Sequence, residues 1–154
     1  MYDLLLSGGT IITCNNSFDI IEDGIIGVKD NKISLIESKK ENINNLPESK
    51  ECIKLDNEIV IPGLINAHCH AADSLFRGLV ENLSLEDWLQ EVWKAEKAIL
   101  NPETTLLGSY LGLAENLLAG VTTVVDMFWY PFETANASLD FCLLYTSPSP
   151  RDTG

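Results

Sequence analysis

The sequence is poor in basic residues and in long apolar runs. Only 10 of its 154 residues are Lys or Arg, against 23 that are Asp or Glu, so the formal net charge is −13. An anionic surface of this size repels phosphate backbones, and we therefore expect no nucleic-acid partner. No apolar stretch reaches the roughly 20 residues that are needed to cross a bilayer, so no membrane partner is expected either.

Cysteines are few and far apart. Cys14, Cys52, Cys69 and Cys142 form no CxxC pair, which predicts reduced thiols rather than a disulfide framework. The first ten residues lack the basic region and the long apolar core of a secretory signal. The apolar content of 45% is ordinary for a folded domain. These features together predict a soluble, cytoplasmic protein.

Residues 1–58 alternate short β-rich runs with turn residues. Strands are predicted at residues 4–6, 10–13, 24–28 and 33–36. Asp30 and Asn31 both tolerate positive φ, so we expect a two-residue hairpin turn between the last two strands. The polar stretch 37–56 is predicted to be a loop. Residues 1–58 are therefore predicted to form a small antiparallel sheet or half of a β-sandwich, too small to bury a core of its own.

From residue 59 onward the pattern changes to strands separated by amphipathic helices. The apolar run 59–70 predicts a strand that ends in polar residues. Ser84 is a candidate N-cap of a first helix, and Asn101, which precedes a proline, is the candidate cap of a second. Gly120 is expected to end that helix, and the β-branched run 121–127 to form a buried strand. Strand, helices and strand form a βαβ unit, which predicts a parallel α/β fold.

The end of the sequence interrupts this pattern. A third helix is expected over residues 133–141, but 142–154 is rich in Ser and Pro and has no periodicity. We predict that residues 59–141 hold the first βα units and that 142–154 is an unrelated or disordered tail. A truncated reading frame that runs into unrelated sequence is the preferred explanation, and a flexible natural C-terminus is the alternative.

His68 and His70 are the only histidines, and they stand at the end of the first predicted βα strand. Alternate strand residues point to the same side, so both imidazoles should face one way while Cys69 faces the other. Two imidazoles that converge on one point form half of a transition-metal site. The alternative for an HxH pair taken alone is two hydrogen-bonded histidines near a strand end. In parallel α/β barrels this end of a strand carries the active site, but the pair taken alone favours the hydrogen-bonded alternative, and only the surrounding motifs favour the metal.

Several motifs taken together resemble the amidohydrolase superfamily. They are the strand-rich first third of the chain, PGLINAHCH at 62–70, FRG at 76–78, LSLEDW at 83–88 and AGVTTVVDM at 119–127. Within the superfamily, the sequence is most similar to the aminohydrolases that include the S-adenosylhomocysteine/5′-methylthioadenosine deaminases and the triazine hydrolases. The resemblance extends over residues 1–140.

The resemblance implies an α/β fold in which a metal-dependent (β/α)₈ barrel follows a β-sandwich built from both chain ends. It implies one divalent metal ion, zinc in preference to iron, with His68 and His70 as ligands from the first barrel strand. The remaining ligands and the acid/base glutamate come from later strands in that family, and this sequence has no third histidine. We therefore expect an incomplete barrel, no catalytic residue within the chain, and an inactive fragment.

For the complete enzyme, the resemblance implies metal-assisted hydrolysis of a carbon–nitrogen bond. The preferred reaction is deamination of an adenosine-type nucleoside such as S-adenosylhomocysteine or methylthioadenosine. The alternatives are a triazine, guanine or cytosine hydrolase of the same superfamily, and a non-catalytic scaffold built on the same fold. The expected partner is a small heterocyclic substrate, and the full-length protein is a candidate homo-oligomer.

Three further residues are candidates for the same site. Glu96 shares a helix face with Trp88 and Val92, and a glutamate in a similar segment contacts the ribose hydroxyls in nucleoside-type deaminases; a solvated helix glutamate is the alternative. Trp88 is a candidate wall of the substrate pocket, with a core position as the alternative. Asp126 ends the second barrel strand and is a candidate hydrogen-bond partner behind the metal ligands. The alternative for Asp126 is a simple cap or loop role.

Overall fold

A computed structural model describes residues 1–39 and 46–147 of the chain. The chain divides into two compact units after Pro62, four residues beyond the boundary at residue 58 that the sequence predicts. The difference arises because a strand of the first unit continues to Val60. Among the described residues, no helix has both the length and the apolar character needed to span a membrane.

The first unit is a five-stranded sheet. Its strands are β1 (Tyr2–Ile12), β2 (Ile20–Glu22), β3 (Gly24–Lys29), β4 (Lys32–Ser38) and β5 (Ser49–Val60). β2 and β3 pair with β1 in antiparallel orientation, and β4 pairs with β3 in the same way. β5 pairs with β1 in parallel. The predicted antiparallel arrangement therefore holds for β1 to β4 and is wrong for β5.

The predicted loop over 37–56 is wrong for residues 37–38, which end β4, and for residues 49–56, because Ser49–Val60 form β5. Most of its side chains are exposed, and charged residues stand on both of its faces. The strand therefore lacks the apolar–polar alternation that marks a half-buried strand. Residues 40–45 of the predicted loop lie outside the described part of the chain. A polar strand of this kind is stabilised by its long pairing with β1 rather than by its own pattern.

The two predicted strands at 4–6 and 10–13 are one strand, β1, with a bulge between them. The register of β1 against β5 shifts at Gly8 to Thr10, and Gly8 and Gly9 have φ of +101° and +65°. A Cβ on Gly9 would lie 2.6 Å from the carbonyl oxygen of Glu58, so both the conformation and the close approach require glycine.

The predicted hairpin turn at Asp30 and Asn31 is confirmed. The two residues join β3 to β4 with φ of +51° and +59°, and Lys29 and Lys32 face each other as the last pair of the ladder. Two successive residues with positive φ are the mark of a type I′ turn, whose twist matches that of the flanking strands.

The second unit is a parallel sheet covered by helices. In chain order its elements are β6 (Leu64–Cys69), a 3₁₀ helix (Ala71–Phe76), α1 (Leu85–Ile99), α2 (Pro102–Leu118), β7 (Val121–Asp126), α3 (Pro131–Asp140) and β8 (Leu144–Thr146). The strand order is β6-β7-β8, and both pairs are parallel. The predicted α/β class and parallel βαβ arrangement are confirmed.

The predicted capping residues of α1 and α2 are confirmed, and so is the glycine that follows α2. The Oγ of Ser84 accepts a hydrogen bond from the backbone N–H of Asp87 at 3.2 Å. Asn101 caps α2 in the same way by accepting from Thr104 at 3.0 Å. Gly120 follows α2 with φ of +81°, the left-handed conformation in which a helix commonly ends.

The strand predicted over 59–70 is divided between the two units. Its first residues complete β5, and β6 begins only at Leu64. Pro62 separates the two strands because proline has no backbone N–H to donate to a ladder.

The prediction of a tail from residue 142 is wrong for the part that the structure describes. Leu143 is buried in the core of the second unit, and Leu144–Thr146 form β8, in register with Thr123–Val125 of β7. The strand–helix–strand order therefore continues past α3. A three-residue strand is too short to show periodicity, which is why the sequence pattern misses it. Residues 148–154 lie outside the described part of the chain.

The 3₁₀ helix that follows His70 packs closely on α2. A Cβ on Gly108 would lie 2.7 Å from the carbonyl oxygen of Ala72, and one on Gly112 would overlap the carbonyl of Ala71. The Oγ of Ser74 also donates to the carbonyl of Gly108 at 2.7 Å. The two glycines, one helical turn apart, thus let the backbone after β6 lie directly against α2.

We expect Gly112→Ala to lower the free energy of unfolding by about 1–3 kcal/mol, because the added methyl group has no space. Helix propensity alone would give the opposite sign, since Ala is about 1 kcal/mol better than Gly within a helix. Urea unfolding measures the change. Leu118→Ala is the control on the same helix: its side chain is 89% exposed, and its substitution should change stability by less than about 0.5 kcal/mol. A Gly112→Ala variant as stable as the wild type would contradict the close packing.

Candidate active site

The two histidines lie together at the carboxyl end of β6. Their ring centroids are 4.8 Å apart, with the ring planes at 78°. Cys69 points the other way and is buried, with its Sγ 3.9 Å from the side-chain amide of Asn116. The orientation predicted from strand alternation is confirmed. Burial raises the pKa of the Cys69 thiol to about 11, so the thiol stays protonated and is a poor metal ligand at neutral pH.

The ring of His70 is anchored at one nitrogen. Its Nδ1 lies 2.6 Å from the carbonyl oxygen of Met127, the residue after β7. Because a carbonyl only accepts, Nδ1 carries the proton, and the lone pair of a neutral ring is on Nε2. This is the tautomer of a histidine that binds a metal through Nε2 while a backbone carbonyl orients it.

Asp126 supports the same region from the end of β7. Its side chain is fully buried, and Oδ1 accepts a hydrogen bond from the backbone N–H of Ala71 at 2.9 Å. Oδ2 lies 3.4 Å from the hydroxyl of Tyr145. Burial raises the pKa of the Asp126 carboxyl. Asp126 therefore holds the backbone directly after His70, and it caps the 3₁₀ helix from a neighbouring strand rather than by local sequence.

A pocket of about 310 Å³ opens beside His70. Its walls are largely aromatic and include all three tryptophans of the chain, together with a phenylalanine: Trp88, Trp93, Phe128 and Trp129. Three titratable side chains line it as well: His70, Asp73 and Glu96. Aromatic walls with a few convergent polar groups are typical of a site for a small organic ligand.

The structure places both predicted substrate-binding residues in this pocket. Glu96 is only 6% exposed, and its Oε2 accepts a hydrogen bond from the indole N–H of Trp129 at 2.8 Å. The alternative of a solvated helix glutamate is therefore wrong. Trp88 is 37% exposed and lines the pocket, which excludes the alternative of a core position.

Two residues of the pocket wall, Asp73 and Trp129, are not among those predicted from the sequence. Asp73 lies in the 3₁₀ helix, where its backbone N–H donates to the carbonyl of His70 at 3.0 Å. Trp129 lies three residues after Asp126, in the loop that follows β7. The available signal was position: both residues directly follow a strand at its carboxyl end, where the side chains of a parallel sheet surround a common site.

Burial, and to a lesser degree the negative charge of Glu96, raise the pKa of the Asp73 carboxyl to about 6, while His70 opposes the shift. The Oδ1 of Asp73 is shielded from solvent and has no hydrogen-bond partner among the described residues. Asp73 is thus an acid held in an environment that disfavours its charge.

In this region, the side chains that suit a divalent transition metal are the imidazoles of His68 and His70. Within residues 1–39 and 46–147, no group of three or more His, Cys, Asp or Glu side chains is arranged to hold a metal ion. The donor set at His68 and His70 fits zinc or iron in type, His70 also in tautomer, and it supplies two ligands. A catalytic zinc site takes about three ligands from protein.

The sequence matches the profile of the amidohydrolase family over residues 59–144, more than half of the chain. The chain belongs to the amidohydrolase family. The predicted family is thereby confirmed, and the matched segment contains the histidine pair and the aromatic pocket. It also extends beyond residue 141, where the predicted tail was to begin.

Two curated relatives in this family are nucleoside deaminases by name. The chain is 34% identical over 135 residues to the 5-methylthioadenosine/S-adenosylhomocysteine deaminase of Acetivibrio thermocellus. This alignment covers 88% of the chain and 31% of that relative. The chain is 35% identical over 139 residues to the 5′-deoxyadenosine deaminase of Methanosarcina acetivorans, covering 89% of the chain and 31% of the relative. The chain spans about a third of the length of the curated relatives that it matches.

Solved structures share the fold. An adenosine deaminase from Xanthomonas campestris with bound zinc superposes with a TM-score of 0.83 at 25% identity, over 94% of this chain and 33% of that one. The atrazine chlorohydrolase of Arthrobacter aurescens, complexed with zinc, gives a TM-score of 0.77 at 23% identity, over 94% and 35% of the two chains. The second likeness shows the fold alone.

We expect Asp73→Asn to raise the free energy of unfolding of this amidohydrolase chain at about pH 8 by about 1–3 kcal/mol. The folded-state pKa of Asp73, about 6, lies above the ordinary 3.8, so between these values the folded chain binds more protons than the unfolded chain. The contribution of Asp73 to stability is therefore full below pH 3.8 and is lost as the pH rises through 6.

Urea unfolding followed by tryptophan fluorescence at about pH 4 and about pH 8 measures this effect. The gain in stability should be large at the higher pH and small at the lower one. Glu86→Gln removes one charge from an exposed position on α1 and serves as the control for general relief of acidic repulsion. An equal gain in the two variants would show that Asp73 is not destabilised by its own surroundings.

Proposed function

We propose that this chain carries the first part of a metal-dependent hydrolase that removes an amino group from a nitrogen heterocycle. The preferred substrate class is an adenosine-type nucleoside, such as methylthioadenosine or S-adenosylhomocysteine. The observation that carries this proposal is the pair formed by His68 and His70 beside an aromatic pocket that contains the buried Glu96. The names of the curated relatives support the same substrate class.

The parallel strands β6, β7 and β8 are proposed as the first three strands of a (β/α)₈ barrel. They neighbour one another in chain order, as successive strands of such a barrel do, and the histidines and the pocket lie at their carboxyl ends. Strands β1–β5 are proposed as part of a β-sandwich. A complete barrel takes about 250 residues, so the remaining strands and catalytic groups would belong to a longer protein.

His68 and His70 are the residues that would hold one divalent metal ion, zinc in preference to iron. When bound, such an ion lowers the pKa of water so that hydroxide is available at neutral pH. The carbonyl of Met127 keeps the Nε2 of His70 free to bind, since it holds the proton at Nδ1. Asp126 stabilises the backbone turn after His70 through Ala71.

Glu96 is proposed to bind the ribose of the substrate. Trp129 uses only one lone pair of Oε2, so the carboxylate can still accept hydrogen bonds from two hydroxyl groups. A buried carboxylate gains most from such donors, because its desolvation is otherwise uncompensated. The indole of Trp88 offers an aromatic face for a purine ring.

We expect the 154-residue chain to bind zinc only weakly, with micromolar affinity or worse, because two imidazoles are fewer than the three or four ligands of tight sites. Calorimetric titration measures the affinity. His68→Ala combined with His70→Ala should abolish the binding. Cys52→Ala is a matched control, since its thiol is exposed and could bind zinc adventitiously. Stoichiometric nanomolar binding that depends on the histidines would show that the site is more complete than proposed.

The reaction can be tested in a chimera in which residues 1–147 replace the matching segment of the Acetivibrio thermocellus deaminase. We expect Glu96→Ala to lower kcat/KM about ten- to hundredfold on methylthioadenosine and S-adenosylhomocysteine, the size expected for losing hydrogen bonds to a charged group. Free adenine and a chlorotriazine should be affected little, since neither carries a ribose.

Glu91→Gln is the control for this assay, because Glu91 is exposed on the same helix and pairs only with Lys94 among the described residues. An equal loss on all four substrates would remove Glu96 from ribose binding. Activity on the triazine alone would favour the triazine hydrolase alternative. A folded, zinc-loaded chimera with no activity on any of the four would contradict the proposed function.

A further inference from the structure

Glu96 and Trp129 come from distant parts of the chain and meet in the wall of the aromatic pocket. Glu96 belongs to the last turn of α1, and Trp129 belongs to the loop between β7 and α3. Both side chains line the pocket of about 310 Å³ beside His70. Both also line a second cavity of about 250 Å³. The carboxylate of Glu96 therefore has open space on two sides, and its direction has to be set by a contact.

The indole of Trp129 makes that contact. Its Nε1–H donates to the Oε2 of Glu96 at 2.8 Å. The terminal torsion of a glutamate side chain has only broad minima, so the hydrogen bonds of the carboxylate decide where its two oxygens lie. An indole N–H can only donate, and it therefore occupies one lone pair of Oε2 and leaves the acceptor capacity of Oε1 for another donor.

The position of Trp129 is itself set by the backbone on both sides. The N–H of Met127, two residues earlier, donates to the carbonyl of Cys69 at 3.0 Å. Tyr130, the next residue, has φ of +52° and ψ of +56°, and α3 begins directly after it at Pro131. This left-handed conformation is uncommon for an aromatic residue and persists only where the surrounding structure holds it. The loop thus presents the indole to α1 from a fixed backbone.

Packing alone does not account for the place of this tryptophan. Trp129 is 57% exposed, whereas Glu96, to which it donates, is only 6% exposed. A ring with more than half of its surface in solvent contributes modestly to the apolar core. A hydrogen bond to a charged group is stronger, with a typical net value of about 1.5–3 kcal/mol. The feature that distinguishes Trp129 from a simple wall residue is therefore its N–H group.

We propose that Trp129 is a positioning residue that holds the carboxylate of Glu96 for the two adjacent hydroxyl groups of a ribose. It thereby sets a preference for ribonucleosides over 2′-deoxyribonucleosides. The inference rests on the proposed function, because Trp129 acts through Glu96 only if Glu96 binds the ribose. A carboxylate held at one oxygen accepts from two neighbouring hydroxyls at once and loses a partner when one is missing. A carboxylate that is free to turn adapts to a single hydroxyl and discriminates less.

The contact is tested in the 154-residue chain labelled with ¹⁵N at tryptophan. Three indole N–H signals are expected, and Trp129→Phe identifies the signal of Trp129 by removing it. Exchange of this N–H with solvent should become about tenfold faster or more in Glu96→Ala, because the acceptor is lost. Glu91→Gln, at an exposed position of the same helix, should leave the exchange rate unchanged. Equal exchange in the wild type and Glu96→Ala would overturn the inference.

The positioning role is tested in the chimera that contains residues 1–147. The substrates are methylthioadenosine and its 2′-deoxy analogue, which differ only in the 2′-hydroxyl group. The wild-type segment should prefer the ribonucleoside about tenfold or more in kcat/KM, and Trp129→Phe should reduce this preference to about threefold or less. A merely structural defect lowers both activities alike, and both are measured on the same sample, so partial unfolding cancels in the ratio.

Two controls show whether Trp129 acts through Glu96. In a Glu96→Ala background, where the preference is already lost, Trp129→Phe should change the ratio by less than about twofold, because neither residue can then hold the other. Tyr110→Phe removes a hydroxyl that donates to the carboxylate of Asp140 and lies outside the residues that line the pocket. This variant should keep the full preference for the ribonucleoside.

The outcomes separate this inference from the proposed function. If the chimera deaminates methylthioadenosine and Trp129→Phe keeps the full preference, the inference is overturned while the proposed function stands. If Trp129→Phe lowers the preference but does so independently of Glu96, Trp129 contacts the substrate itself and the positioning role is rejected. A folded, zinc-loaded chimera that is inactive on both nucleosides overturns the proposed function and this inference together.

Discussion

Three hydrogen bonds join the carboxyl ends of β6 and β7, and the candidate site depends on them. The N–H of Met127 donates to the carbonyl of Cys69, and its own carbonyl accepts from the ring of His70. The carboxylate of Asp126 accepts from the N–H of Ala71. Together they set the tautomer of His70 and the direction of the backbone after it. The loop after β7, which carries Trp129, is thereby held beside the histidine.

A second constraint is the close approach of the 3₁₀ helix to α2. Gly108 and Gly112 remove the side chains that would otherwise separate the two backbones. Asp73 is consequently held at the pocket wall, next to Glu96, although its surroundings raise its pKa. A buried carboxyl group whose charge lowers the stability of the fold is typical of binding and catalytic sites, because stability alone would favour an uncharged residue there.

Much of the local structure was accessible from sequence, and so was the family. The caps at Ser84 and Asn101 and the turn at Asp30 depend on neighbouring residues alone, and each formed where its chemistry requires. The strands β5 and β8 were missed for opposite reasons: β5 is exposed and charged along most of its length, and β8 has only three residues. Neither shows the period-two alternation by which strands are recognised.

By itself, the sequence determined the features that act over a few residues: helix ends, the hairpin turn, and the common orientation of His68 and His70. The tertiary structure decided which distant residues of the chain contact one another. His70 meets Met127 across 57 residues, Ala71 meets Asp126 across 55, and Glu96 meets Trp129 across 33. These pairs form because parallel strands bring their carboxyl ends together and because α2 lets the backbone approach. Such long-range packing leaves no mark on local periodicity, and for this reason the contact of Trp129 with Glu96 and the place of Asp73 in the pocket wall became visible only in the folded chain.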